Sequence, residues 1–154
     1  MTKKRKKKKK EPEKERYEIE VEDWEVAYRF ELNTAPKDLV EGVFWEHSRL
    51  ILTGKILSPI VEKASNAKIE IASKPHMDDH WKTEPTIESA KAIGWMEIPR
   101  GEDTLIFYCL IPSRSLPSII LAAGSSKIRF ISISGTKLKW RKGTISSVSL
   151  SKDR

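Results

Sequence analysis

The sequence predicts a mainly β fold, an antiparallel sandwich or a partly open barrel with a few short helices, behind a disordered basic tail. Three observations carry that expectation. Residues 24–32 alternate apolar Trp24, Val26, Tyr28, Phe30 and Leu32 with Glu25, Ala27, Arg29 and Glu31, the period of a strand with one buried face. Several later segments are rich in β-branched and aromatic residues and are bounded by Gly, Pro, Asn or Asp. Residues 1–16 hold no large apolar side chain beyond Met1, so ordering them cannot offset the lost chain entropy. With 154 residues and 38% hydrophobic content, the remaining stretch 17–154 suits a single domain.

Taken in order, the first strand changes phase upstream, where Ile19 and Val21 alternate against Trp24 and Val26, and a bulge near Glu22 and Asp23 accounts for the slip. "NTAPKD" reads as a turn. "GVFW", "RLILTGKIL", "AKIEIAS", "GWMEI" and "TLIFYCLI" follow as strands, the last two joined by "PRGED", in which Gly101 offers a left-handed conformation. With the C-terminal segments, about nine strands result. Three short helices are predicted: "SPIVEKASNA" with Ser58 as cap and Pro59 at the first position, "TIESAKAIG" between Thr86 and Gly94, and "SLPSIILAAG" with Ser115 as cap and Gly124 as stop.

The C-terminal stretch "KIRFISISGTKLKWRKGTISSVSL" suggests a hairpin. A two-residue turn at Gly135 and Thr136 pairs Ser134 with Lys137, Ile133 with Leu138, Ile131 with Trp140 and Phe130 with Arg141. One face is then Ile131, Ile133, Leu138 and Trp140, which is core. The other carries Lys137, Lys139 and Arg141 with Phe130 beside the arginine. Val148 and Leu150 fall on the basic face in this scheme unless a bulge near Ser146 and Ser147 restores the phase.

Charge is concentrated. The net +7 equals the excess in residues 1–16, where ten Lys/Arg face three glutamates. Residues 17–47 carry nine acidic and two basic groups, and residues 110–154 nine basic and one acidic, so proximity of the two ends would cancel part of the field. Cys109 is the only cysteine and sits in the apolar "LIFYCLI", which excludes an intrachain disulfide and predicts a buried, inert thiol. The cationic N-terminus passes into "EPEKER" without the apolar segment of a signal peptide, and the longest apolar run, residues 105–111, falls short of the ~20 residues that span a bilayer. An intracellular, cytoplasmic location is expected, or a nuclear one if the source is eukaryotic.

"PHMDDHW" holds the only cluster of metal-ligand types: His76, Asp78 and His80 point one way on a strand, and two imidazoles with a carboxylate suit Zn, Fe or Mn. A polar loop explains the same residues. No phosphate-cradling loop and no nucleophile elbow occur. The expectation is therefore a non-enzymatic binding protein without cofactor, with nucleic acid or another polyanion as partner. Its tail cations Lys3, Lys4, Arg5, Lys6, Lys7, Lys8, Lys9 and Lys10 would release counterions from a phosphate backbone or draw the chain to an anionic membrane surface. Phe130, Lys137, Lys139 and Arg141 would form the oriented part of the site. The alternatives are a metal-dependent β-barrel or sandwich enzyme using the "HMDDH" cluster, and a protein–protein interaction module.

Overall fold

A computed structural model describes residues 11–32, 44–73 and 92–154. Seven strands form one closed barrel: β1 (Lys14–Leu32), β2 (Phe44–Ser58), β3 (Asn66–Ser73), β4 (Gly94–Glu97), β5 (Thr104–Ile111), β6 (Phe130–Thr136) and β7 (Lys142–Ser151). The order around the barrel is β1-β2-β3-β5-β4-β7-β6, and β6 closes the ring by pairing antiparallel with β1. The sandwich and the partly open barrel are thereby corrected. Pairing along residues 14–20 of β1 leaves no open sheet edge in the ring itself. The pairing is mostly antiparallel, as expected, with one exception: β3 and β5 run parallel from Asn66↔Thr104 to Ser73↔Ile111.

Strand alternation sets the interior. Tyr17, Ile19, Leu50, Leu52, Ile69, Ile71, Met96, Leu105, Phe107, Ile131, Ile133 and Ile145 are fully buried, and Tyr17 meets Phe107 edge to face at 5.5 Å between centroids. Such side chains fill the barrel, which is a packed core and not a channel. Cys109 points into it at 1% exposure, and burial pushes its thiol up to about 12, so the thiol is inert as expected.

The bulges fall where the phase changes. Glu22 is the extra residue between Val21↔Gly54 and Asp23↔Thr53, as the slip predicts. Ser146 is extra between Gly135↔Ile145 and Ser134↔Ser147, which returns Val148 and Leu150 to the core side. β2 merges two expected strands into one, and residues 137–141 form no strand, so about nine become seven.

One α-helix occurs among the described residues, α1 (Leu116–Gly124), entered through a 3-10 turn at Ser113–Ser115. It rests against β2 and β3 with Leu116 and Ala123 buried. Ser115 stands at its N-terminus but makes no side-chain cap bond, and the left-handed residue after its end is Ser126, φ 55°, in place of Gly124. The helix expected at "SPIVEKASNA" is corrected. Lys55 pairs with Asn66 across the β2–β3 hairpin, so the intervening residues return the chain through a turn closed by Ala64 N–H to the Val61 carbonyl, 3.2 Å. Residues 86–91 of the third helix lie outside the described residues, and Gly94, its expected end, opens β4. The "NTAPKD" turn also lies outside them. No helix of the described residues is long and apolar enough to cross a membrane.

β1 begins at Lys14, inside the stretch that composition assigns to the tail. Past Val21 it leaves β6 and continues with β2 as an arm. The alternating residues that promised the clearest buried face lie on this arm and are instead exposed: Trp24 41%, Val26 43%, Tyr28 63%, Phe30 59% and Leu32 59%.

Two glycines predict contrasting costs. A Cβ at Gly54 would stand 1.9 Å from the Glu20 carbonyl oxygen, where β1 crosses closest to β2, whereas one at Gly101 (φ 84°) meets nothing within 4 Å. Gly54→Ala is expected to destabilise by more than about 3 kcal/mol and Gly101→Ala by about 1 kcal/mol, read from urea unfolding midpoints.

Candidate functional site

The β6–β7 connection is the most unusual surface feature. Lys139 and Lys142 exchange backbone hydrogen bonds of 2.8 and 3.1 Å, enclosing Trp140 and Arg141, both at positive φ (55° and 67°). Two central residues with positive φ are the pattern of a type I′ hairpin turn, which Asn and Gly normally supply because a Cβ is disfavoured there. The turn expected at Gly135 and Thr136 is corrected. Both residues belong to β6, and Gly135 is retained because a Cβ would meet the Thr144 carbonyl oxygen at 2.1 Å.

Moving the turn five residues changes every assignment made from the earlier pairing. Ile131 faces Leu150 and Ile133 faces Val148, in place of Trp140 and Leu138. Trp140, expected in the core, is 88% exposed at the tip. Phe130 and Arg141 are not neighbours: Phe130 opens β6, whereas Arg141 lies in the turn beyond its other end. Phe130 is half-buried, with the Arg129 guanidinium 5.7 Å from its ring centre.

Arg141 holds the tip in place. Its Nε donates to the Ile98 carbonyl at 2.8 Å, and its terminal nitrogen donates to the carbonyls of Pro99 and of Glu102, the latter at 3.2 Å. The Ile98 N–H donates in return to the Arg141 carbonyl at 2.9 Å. These bonds fix the β6–β7 tip to the β4–β5 loop, so the expected ligand-facing arginine is a brace and the tryptophan beside it is presented rigidly.

The lysines differ in their commitments. Lys137 Nζ lies 3.4 Å from Glu13 Oε1, and Lys142 Nζ 3.5 Å from Glu97 Oε2. Among the described residues Lys139 has no ion-pair partner. The acidic start and basic end of the chain therefore do meet: β1 and β6 are neighbours, and Arg16 and Ser132 share Glu18, with Arg16 Nε and Ser132 Oγ each 2.6 Å from Glu18 Oε1. Burial would raise the Glu18 carboxyl, yet the bonds from Ser132 and Arg16 outweigh it and lower it.

The outer barrel wall holds an arrangement that sequence reading missed. Trp95 on β4 and Tyr108 on β5 pair across the strands and stack at 5.0 Å and 24°, with Trp95 48% exposed. Glu70 lies next to Tyr108 and is ligated by Arg49 and Lys68, each at 2.8 Å. Burial pushes the Glu70 carboxyl up, but the hydrogen bonds from Lys68 and Arg49 prevail and hold it below the usual 4.5. Alternation in "GWMEI" and "TLIFYCLI" does put Trp95 and Tyr108 on outward faces; only the strand order makes them neighbours.

The tail cations at positions 3–10 and the His76, Asp78 and His80 cluster lie outside the described residues. Within the described residues no group of three or more His, Cys, Asp or Glu is arranged to hold a metal ion. A shallow cleft of about 160 Å³ lies beside Ile56, Pro59, Ile60 and Val61, without convergent polar groups.

Arg141→Met is expected to lower stability by about 2 kcal/mol, since three carbonyls lose a charged donor. Trp140 emission anisotropy should fall in the same variant. An unchanged unfolding midpoint and anisotropy would show that the turn holds itself. Comparison of the chain with protein-family models, with curated proteins and with solved structures finds no match.

Proposed function

We propose that the protein is a non-enzymatic binding protein for a polyanion, nucleic acid first. The observation that carries this reading is Trp140, a large aromatic held 88% exposed on a strained turn, between Lys139 and Lys142, by a neighbour that is itself braced. Exposing an indole forfeits hydrophobic stabilisation, and two non-glycine residues at positive φ cost of order 1 kcal/mol each. Such expense at a rigid tip fits a ring that stacks on a ligand. The cations of residues 3–10 supply affinity without sequence preference, and the tip supplies orientation. Phe130 has no part in the tip, and Arg141 acts by positioning Trp140.

The test is a salt series of oligonucleotide binding by the full chain, by Trp140→Ala, and by a chain with Lys and Arg at positions 3–10 replaced by serine. The serine chain is expected to show a shallower salt slope. Trp140→Ala is expected to lose about tenfold in affinity with its salt slope intact. Equal binding by Trp140→Ala and the parent would remove the tip from the reading, leaving the lysines as a generic tether.

The arm favours a second reading, a protein-interaction module. Five apolar side chains share one exposed face of β1, and among the described residues no strand other than β2 pairs with residues 23–32. A two-stranded ribbon with an open apolar face is marginal in water unless something covers it. Sedimentation of the full chain and of Val26→Lys/Tyr28→Lys checks this. A mass above 17.7 kDa that rises with concentration and is lost in the variant supports the module. A constant 17.7 kDa in both rules out self-association through the arm.

A further inference from the structure

On the outer wall, strand pairing joins the tip to the aromatic stack. β4 and β7 run antiparallel with Glu97 opposite Lys142 and Trp95 opposite Thr144. Met96 and Ile145 point inward, so Trp95, Glu97, Lys142 and Thr144 all face out. Lys142 thus stands diagonally beside Trp95 on one side and two residues from Trp140 on the other. Within β7, Lys142 and Thr144 lie about 7 Å apart along the strand, and Trp140 stands in the turn just before Lys142.

The charges around the stack are already balanced. Glu97 is engaged by Lys142, and Glu70 by Arg49 and Lys68, so the acids beside the rings are neutralised where they stand. Burial, then Glu70 and Glu97, raise the Tyr108 hydroxyl above its usual value, so the phenol stays uncharged at neutral pH. A flat, uncharged pair of rings with one half-exposed indole takes a π-face readily. Each nucleobase has one, whereas a duplex keeps those faces inside its own stack.

We propose that Trp95, backed by Tyr108, is a second base-stacking platform, and that the ligand is single-stranded nucleic acid lying along β7 from Trp140 past Lys142 to Trp95. This rests on the polyanion reading and narrows it to strands with unpaired bases. Two exposed aromatic platforms along β7, with Lys142 between them and its side chain 75% exposed, hold an extended strand by stacking, and a phosphate there displaces Glu97 from Lys142. Tyr108 is a positioning residue, fixing the plane of the indole. A rigid duplex gains only the phosphate contact.

The experiment uses the full chain with Trp95→Ala, Trp95→Phe, Trp140→Ala and Lys142→Ala, against an oligothymidylate of about ten nucleotides, a duplex of equal length, and heparin. The expected result is about tenfold weaker oligothymidylate binding by Trp95→Ala, recovery in Trp95→Phe, and unchanged duplex and heparin binding. Quenching of the remaining indole emission by oligothymidylate should persist in each single Trp variant. Loss in Trp140→Ala with parental affinity in Trp95→Ala overturns this inference and leaves the polyanion reading standing. Equal affinity of every variant for all three polyanions overturns both. Circular dichroism of Trp95→Ala matching the parent excludes unfolding as the cause, and Trp95→Phe, which keeps a ring over Tyr108, serves if it does not.

Discussion

The hydrogen-bonded pairing of β1 with β6 is the constraint on which the other features depend. It turns a curled sheet into a ring without edges. It also sets the acid-rich start of the body against the base-rich end, where Arg154 helps to lower the Glu18 carboxyl, and it brings Glu13 beside Lys137 and Glu18 beside Ser132. The register with β6 ends at Glu20 and a last bond runs from Val21 N–H to the Arg129 carbonyl, so among the described strands only β2 accompanies the rest of β1, which departs as an arm. The Glu22 bulge sits at that point of departure, and the Trp24 indole passes near Gly124 at the end of α1.

A second dependency links the two loops at one end. Gly101 turns the β4–β5 loop so that the carbonyls of Ile98, Pro99 and Glu102 converge, and Arg141 fills the convergence. Its planar fork suits several acceptors at once, which a lysine does not match. Once Arg141 is committed to that role, its predecessor has nowhere to go but outward. Exposure of Trp140 follows from the brace beneath it.

Much of the local structure was legible because it is a matter of side-chain period. Seven stretches with strand character are strands, Cys109 points inward from "LIFYCLI", the slip at Glu22 is a bulge, and residues 116–124 are helical. Even the bulge at Ser146 could be inferred, since Val148 and Leu150 needed a way back to the core. The candidate site was less legible. Pattern rules favour glycine at a hairpin tip, so Gly135 drew the turn away from Trp140 and Arg141. That preference is outweighed here by the three carbonyl bonds of Arg141, and Gly135 serves a close approach to Thr144 instead.

The sequence by itself determined which residues alternate and where the net charge lies, because these follow from side-chain volume, branching and charge along the chain. Tertiary structure alone decided the closure of the barrel, the parallel β3–β5 pair, the meeting of Trp95 with Tyr108, and the exposure of an arm whose pattern is that of a buried strand. Each of these depends on which strands become neighbours. Periodicity marks the face a side chain points to, but it carries no information on what stands opposite that face, and only pairing supplies it.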